Sequence, residues 1–428
     1  MGDVSRSTPV AAATTPQLRT GIERAWDITR ANVFLILLLG TSFFFRVFWA
    51  VVVPAFQAPD EIAHVAYVQS LAESDSLSSS KWIPEEIGVV EQLTGLVEVP
   101  FNPDGTQGFA ADSLNGPQED QLDRLPASLR TTDQVGRDNT AKQYPATYYL
   151  LASLVYRVLA GFNLLVIVFG LRVFSALLST GTMFFNYLTL RRFFGEDRLT
   201  RASAVIIAML PMYVYMGAAV NPDVLVWLVF SVFLYLMTRA YDDGLSPSMN
   251  LGIGATIAAG TLVKQTFLIA LPMYAILLAF LWCRKLLSTR QAALSLAGVL
   301  AVLAVADGWL YLSGIIRTSP SYPGEHEQQA RTISGFFEHL QSRWWDYSGI
   351  YNTMWGYFGW LDTPLSPRIF ALIRTGSAIA TIGLIFYLVS SAVERRVDHR
   401  ALFYVVISMA YIAGWVVVNY MRITSGEQ

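Results

Sequence analysis

The sequence predicts an all-α, polytopic membrane protein: a bundle of about nine transmembrane helices with a large first extracytoplasmic loop. Three observations predict it. Of the 428 residues, 54% are hydrophobic and 14% charged, where a soluble domain charges about a quarter of its residues; the mean hydropathy is +0.42. Apolar runs of about 18 residues or more recur along the chain. The basic residues gather between those runs, at Arg19/Arg24/Arg30, Arg191/Arg192/Arg198/Arg201, Arg284/Lys285/Arg290 and Arg395/Arg396/Arg400.

Taken in order, 1–31 is rich in Ser, Thr, Ala and Pro near its start and reads as a disordered cytoplasmic N-terminus without a compact signal peptide. The first span is 32–54. An extracytoplasmic loop with juxtamembrane helices, 55–163, follows. The helix bundle, 164–315, holds the spans 164–190, 202–219, 223–240, 249–263, 266–283 and 291–314. A second, aromatic-rich extracytoplasmic loop covers 316–366, and 367–428 supplies the last two spans, 367–391 and 400–420. The segment 145–160 is a tenth candidate span. If it stays on the outer side without crossing, all four basic clusters face the cytoplasm, as the positive-inside rule requires; this places the N-terminus inside. The single cysteine, Cys283, excludes an intrachain disulfide, so the external loops hold together by packing. The net charge of −2 says little, because the charges segregate by side.

Chemistry concentrates just past the first span, in Pro59-Asp60-Glu61-Ile62-Ala63-His64. If Pro59 opens a helix, Asp60 and Glu61 lie four and three residues before His64, and all three share one face. Paired acids beside a membrane can have their pKa values pushed apart, which makes one of them a base at neutral pH. The alternative is an acidic turn that caps an interfacial helix. Glu61-x-x-His64 also has metal-ligand spacing, although capping or packing accounts for the same residues. In the first loop acids far outnumber bases. The second carries Trp344, Trp345, Tyr347, Tyr351, Trp355, Tyr357, Phe358 and Trp360, either an interfacial belt or a platform for a sugar or isoprenoid. The sequence contains no P-loop, dinucleotide fingerprint or nucleophile elbow, and no basic-aromatic stripe for nucleic acid. Arg46, Arg172 and Arg374 fall at similar depth, about 10–12 Å below the outer surface at 1.5 Å per residue, with Asp307 at a comparable level. Each must face protein or water. Either Asp307 pairs with one of them while the others snorkel, or the surplus positive charge serves a phosphate.

Several patches together resemble the GT-C superfamily of membrane glycosyltransferases. They are the Asp60-Glu61 pair, the helix opening Pro145-Ala146-Thr147-Tyr148-Tyr149, and the Arg-led span Leu171-Arg172-Val173-Phe174. A still closer resemblance is to a bacterial family known as domain of unknown function 2142. It rests on Pro59-Asp60-Glu61-x-x-His64, Asn221-Pro222-Asp223 and Gly356-Tyr357-Phe358-Gly359-Trp360-Leu361-Asp362-Thr363-Pro364. The resemblance implies a GT-C-like bundle that moves a sugar from a polyprenyl-phosphate donor to a cell-envelope polysaccharide or glycolipid acceptor, with inversion, on the outer face of a bacterial cytoplasmic membrane. Asp60 would be the base, and Glu61 would orient it, raise its pKa, or bind the acceptor or a divalent metal. His64, Lys142, Tyr148, Arg172, Asp223, Lys264, Trp360 and Asp362 would bind substrate. Arg46, Arg172 and Arg374 are the phosphate candidates, with Lys264 next in line. Members of this family usually continue into a Gly-Arg-Tyr-x-x-Pro stretch, and this sequence ends at Ser425-Gly426-Glu427-Gln428, so a truncated member is expected. Two other classes fit the same composition: a transporter or flippase of lipid-linked precursors, which usually shows internal repeats not visible here, and a non-catalytic scaffold of an envelope-synthesis complex.

Overall fold

Apolar runs this long can bury their backbone polar groups only by closing them into helices, and helices dominate the computed structural model. It describes residues 21–73, 82–94, 115–124, 134–195, 198–312, 333–342, 351–361, 363–394 and 398–424. In chain order the elements are α1 (Gly21–Val52), α2 (Glu61–Glu73), β1 (Trp82–Pro84), α3 (Glu85–Thr94), α4 (Gly116–Asp123), β2 (Gln134–Asp138), α5 (Thr147–Leu159), α6 (Leu164–Phe194), α7 (Arg198–Ala208), α8 (Pro211–Met216), α9 (Asp223–Asp243), α10 (Pro247–Val263), α11 (Ala270–Cys283) and α12 (Thr289–Leu312). They continue with α13 (Ile333–Ser342), α14 (351–356), β3 (Tyr357–Phe358), β4 (Thr363–Pro364), α15 (Pro367–Val393) and α16 (His399–Thr424). Single 3-10 turns sit at Thr140–Gln143 and Gln265–Ile269.

Seven helices among the described residues are long and apolar enough to cross a membrane: Asn32–Val52, Leu164–Phe194, Asp223–Asp243, Gln265–Cys283, Thr289–Gly308, Pro367–Val393 and His399–Val418. Two of the nine expected spans differ. The segment 202–219 is broken, because Pro211 pushes Leu210 into an extended conformation (φ −58°, ψ 118°) and splits it into α7 and α8. The segment 249–263 becomes α10, 17 residues long, which ends at Lys264 with extended backbone and runs through the 3-10 turn into α11. The tenth candidate is α5. Its 13 residues extend about 20 Å, short of a bilayer core of about 30 Å. It is amphipathic, burying Tyr148, Tyr149, Ala152, Ser153 and Tyr156 while Leu154 and Val158 are exposed.

Helix ends follow their capping residues. Asn163 accepts the Val166 N–H at 2.9 Å to start α6, and Ser246 accepts that of Met249 at 3.2 Å to start α10. Gly195 (φ 84°) and Gly244 (φ 87°) end α6 and α9 in a conformation that a side chain would disfavour. Within the bundle α6 packs most extensively on α9 and α1, and α10 on α12 and α9.

The first loop folds over one end of this bundle. Its central helix, α2, is buried from Glu61 through Leu71, lies against α5, and packs beside a two-stranded antiparallel sheet with Trp82 opposite Asp138. Val65, Val68, Leu71, Ile83, Ile87 and Val90 join Tyr67, Tyr149 and Leu171 in one core. Each large apolar side chain there contributes about 1.5–3 kcal/mol, which is how the loop holds without a disulfide. Not all of its acids form a solvated face. Glu86 and Glu91 are buried, and Gln69 Nε2 donates to Glu86 Oε2 at 3.1 Å.

Candidate functional site

Pro54 stops α1, because it cannot donate to the helix ladder, and the last carbonyls of α1 are left without partners. Arg172, about two turns into α6, supplies them. Its Nη1 donates to the carbonyls of Ala50 (3.0 Å) and Val53 (2.6 Å), and its Nη2 to that of Pro54 (2.9 Å). The remaining donors form a fork on Glu61: Nε to Oε1 at 2.8 Å and Nη2 to Oε2 at 2.6 Å. All five guanidinium protons are therefore used on protein acceptors. The Glu61 carboxylate also accepts the backbone N–H of Phe56 (3.0 Å, Oε2) and of Val220 (3.2 Å, Oε1). The side chains of Arg172 and Glu61 are 4% and 0% exposed. Arginine suits this place because its planar fork matches the carboxylate; a lysine could not make the pair of bonds.

The turn between α1 and α2 is held by this clamp in a strained form. Phe56 and Asp60 both have left-handed backbones, φ 67° and 57°. For a bulky, fully buried Phe56 this is a conformation that costs about 1–3 kcal/mol and needs fixing from outside. Its N–H goes to Glu61, and its carbonyl accepts the Trp360 indole N–H at 3.1 Å. Asp60 tolerates the conformation better, as a short polar residue. Its carbonyl accepts the His64 N–H at 3.1 Å, and its side chain lies on the exposed surface of the turn.

The turn around Gly359 and Trp360 closes onto this one. The phenol of Tyr215 reaches both, with Gln57 O at 3.0 Å and Gly359 O at 2.8 Å. Trp49 stacks on Phe358 with centroids 5.0 Å apart, and Tyr215 meets the same ring edge-on at 5.4 Å. Trp360 is 7% exposed and packs inside the protein. Trp344, Trp345, Tyr347 and Asp362 lie outside the described residues, as does the side chain of Lys142, whose backbone belongs to the 3-10 turn 140–143.

The third patch, Asn221-Pro222-Asp223, enters through Val220 on Glu61. Asn221 Oδ1 accepts the Asp223 N–H at 2.8 Å and sets the start of α9. The Asp223 carboxylate meets Lys264 Nζ at 2.6 Å, with side chains 35% and 18% exposed. Lys264 also lies 5.3 Å from the centroid of the Tyr144 ring. His64 is buried, its Nδ1 2.9 Å from the Tyr149 hydroxyl, and burial pushes its pKa down to about 3, with Asp223 and Lys264 as opposing influences. The imidazole is neutral at physiological pH. Tyr148, also buried, hydrogen-bonds Ser175 Oγ at 3.1 Å, and burial holds its phenol well above the usual range.

The structure thus brings together the patches that carry the resemblance and redistributes their roles. Asp60, Glu61 and His64 do not share a face: Asp60 points out, and the other two point in. Glu61 is paired with Arg172, and among the described residues no group of three or more His, Cys, Asp or Glu side chains is placed to hold a metal ion. His64, Tyr148 and Trp360 are buried and hydrogen-bonded within the protein. Arg46 is fully buried in α1. It donates to Ser179 Oγ at 2.7 Å, to Ser42 O at 2.8 Å and to Ser42 Oγ, and its guanidinium covers the Tyr213 ring at 4.5 Å. Asp307 pairs with none of the three arginines; its oxygens lie 3.0 Å from the Thr261 hydroxyl. Arg374 is exposed on α15, a helix with little of its surface buried.

Tyr215, Phe56, Val220, Tyr144 and Ser179 are supports that the sequence does not announce. Phe56 and Val220 act through backbone groups, and Tyr215 and Ser179 sit in apolar runs where one aromatic or small residue looks like the next.

A model of the family described as predicted membrane protein (DUF2142) matches residues 43–427. The chain is a DUF2142 protein. No curated protein matches it. The matched region of this DUF2142 protein holds the contacts described above from Arg46 to the Trp360 turn, except those that Arg46 makes to Ser42.

Proposed function

We propose that this DUF2142 protein is a membrane glycosyltransferase that moves a sugar from a polyprenyl-phosphate donor to a cell-envelope glycan or glycolipid acceptor, with inversion. The supporting observation is that of the adjacent acids Asp60 and Glu61, one is exposed on a turn fixed from three sides, and the other is spent on fixing it. Such a turn presents a carboxylate at a constant place beside the apolar helices, where an isoprenoid chain lies. The charge pattern of the sequence supports an outward-facing position for this end of the bundle.

In the reaction, Asp60 takes the proton of the acceptor hydroxyl as its oxygen attacks the anomeric carbon. The carbon–oxygen bond to phosphate breaks on the opposite face, and the polyprenyl phosphate leaves with one more negative charge. Growth of charge on the leaving group calls for a cation nearby. The described helices show the bilayer-spanning body that a lipid-linked donor needs. A flippase of lipid-linked precursors or a scaffold would need no exposed base.

The test is sugar transfer by purified protein in proteoliposomes supplied with polyprenyl-phosphate-linked sugars. Asp60→Asn keeps the size of the side chain and removes the base, so turnover falls by about 100-fold or more while the protein melts like the wild type. Near-normal transfer by a folded Asp60→Asn protein would remove Asp60 from the chemistry. Absence of transfer from any donor, with lipid transport or partner binding intact, would favour the flippase or the scaffold.

A further inference from the structure

The leaving phosphate needs a cation, and two of the three expected arginines cannot meet it. Arg172 has every donor on protein oxygens, and Arg46 is fully buried. Beside the Asn221-Pro222-Asp223 patch, Lys264 carries a cation whose side chain is 18% exposed. It follows the last residue of α10, where helix carbonyls favour positive charge, and its backbone is extended (φ −156°, ψ 125°). Thr147 Oγ1 donates to Leu262 O at 2.6 Å and ties this end of α10 to α5. Asp223 opens α9, Lys264 caps α10, and α16 packs against the 3-10 turn that follows Lys264.

We propose that Lys264 binds the phosphate group of the ligand and that Asp223 is its resident competitor. The carboxylate holds the ammonium in place until a phosphate displaces it. An ion pair with a side chain 35% exposed is weakly held. A phosphate brings more charge and more acceptor oxygens to the same ammonium. The Asp223 backbone, fixed by Asn221, does not have to move for the side chain to swing away. This assignment rests on the reading above for the polyprenyl part of the ligand; the anion site stands on the pair itself.

The experiment measures binding of sugar-free polyprenyl phosphate to the full-length protein in neutral-lipid nanodiscs, with inorganic phosphate as a competitor. Lys264→Gln weakens binding about tenfold or more, the usual worth of a hydrogen bond to a charged group, and Lys264→Arg restores most of it. Asp223→Asn tightens binding several-fold, because the competitor loses its charge. A pair that is only structural predicts otherwise: Asp223→Asn then weakens binding or leaves it unchanged, and either result overturns the proposal. Unchanged affinity in folded Lys264→Gln overturns it too. Should Lys264→Gln fail to fold, Asp223→Asn alone decides. Competition by inorganic phosphate that depends on Lys264 supports recognition of the headgroup alone; Lys264-dependent binding of only the polyprenyl form supports recognition of the lipid-borne phosphate. If the variants behave as expected and no sugar is transferred, the enzyme reading fails and the phosphate site stands. If sugar is transferred and the variants bind alike, the reverse holds.

Discussion

At one end of the bundle, Arg172 and Glu61 are 4% and 0% exposed and joined by two bonds of 2.8 and 2.6 Å. At the other, Arg192, Asp242, Asp243 and Arg400 are 23–49% exposed and share looser contacts of 3.0–3.6 Å. Both clusters join helices far apart in sequence. The first ties α6 to the α1–α2 turn, and the second ties α6 to α9 and α16. The first leaves no donor or acceptor for a ligand and fixes one turn with two strained residues, Phe56 and Asp60. The second is a set of half-solvated pairs that any of several arrangements would satisfy. A charge cluster therefore marks a site here by what it immobilises nearby, namely the exposed Asp60, and not by the charges it contains.

The largest expected effect breaks that difference directly. Removing one partner of a buried ion pair strands the other, at about 3–5 kcal/mol. Glu61→Gln and Arg172→Gln should each lower stability by that order, measured by thermal unfolding in detergent, and lose transfer because the turn is lost. Asp60→Asn should lose transfer alone. A Glu61→Gln protein as stable as the wild type would mean that the clamp does not hold the turn.

A second expectation concerns Arg46, buried below the clamp with Nη2 lacking a partner among the described residues. A Cβ at position 217 would stand 2.7 Å from Tyr213 O and 2.9 Å from Arg46 Nε, and would also strike Ser179 Oγ. Backbone cannot yield as a side-chain tip does, so Gly217→Ala should cost about 1–3 kcal/mol. If Gly217→Ala is neutral by the same unfolding assay, α1 and α8 are not in register through Arg46.

The membrane class was legible because it rests on composition, and the order of the spans because apolar runs and basic clusters alternate. The broken 202–219 segment was not, since hydropathy averages across Pro211 while the backbone does not. The site was legible as a set: three separated patches meet. Its roles were not. Which of Asp60 and Glu61 turns inward goes with a left-handed φ at Asp60 and with the pairing of Glu61 to Arg172, 111 residues further along the chain. An acid beside a membrane announces itself, whereas its partner in an apolar helix could equally have been a snorkelling cation.

The buried neutral His64 gives a pH signature to the site end. Its folded pKa, about 3, lies below the ordinary 6.5. Above pH 6.5 neither state is protonated, and nothing is lost. As pH falls, the unfolded chain takes up a proton that the folded protein refuses, so stability declines toward acid. The slope approaches about 1.4 kcal/mol per pH unit. Between pH 6.5 and about 5, ordinary carboxylates stay ionised and the decline belongs to histidine. His64→Gln should flatten it in unfolding measurements. An equal slope in the variant would place a charged, solvated imidazole at this position.

The smallest effect lies at the opposite end, and salt sharpens it. Asp242 meets Arg192 at 3.6 Å and Arg400 at 3.0 Å, with its own side chain 23% exposed. Exposed pairs are worth about 0–1 kcal/mol each, and Asp243 is at hand to take over Arg192 at 3.1 Å. Asp242→Asn should therefore cost about 1 kcal/mol or less. Half-exposed charges are screened, so the difference from wild type should shrink further as salt rises toward 1 M, where the Debye length is about 3 Å. The cost of Glu61→Gln should stay the same across that series, because no ion reaches a carboxylate with no exposed surface. Salt-insensitive losses at both ends would mean that the second cluster is as closed to solvent as the first, and an Asp242→Asn cost near that of Glu61→Gln would make it an equal clamp.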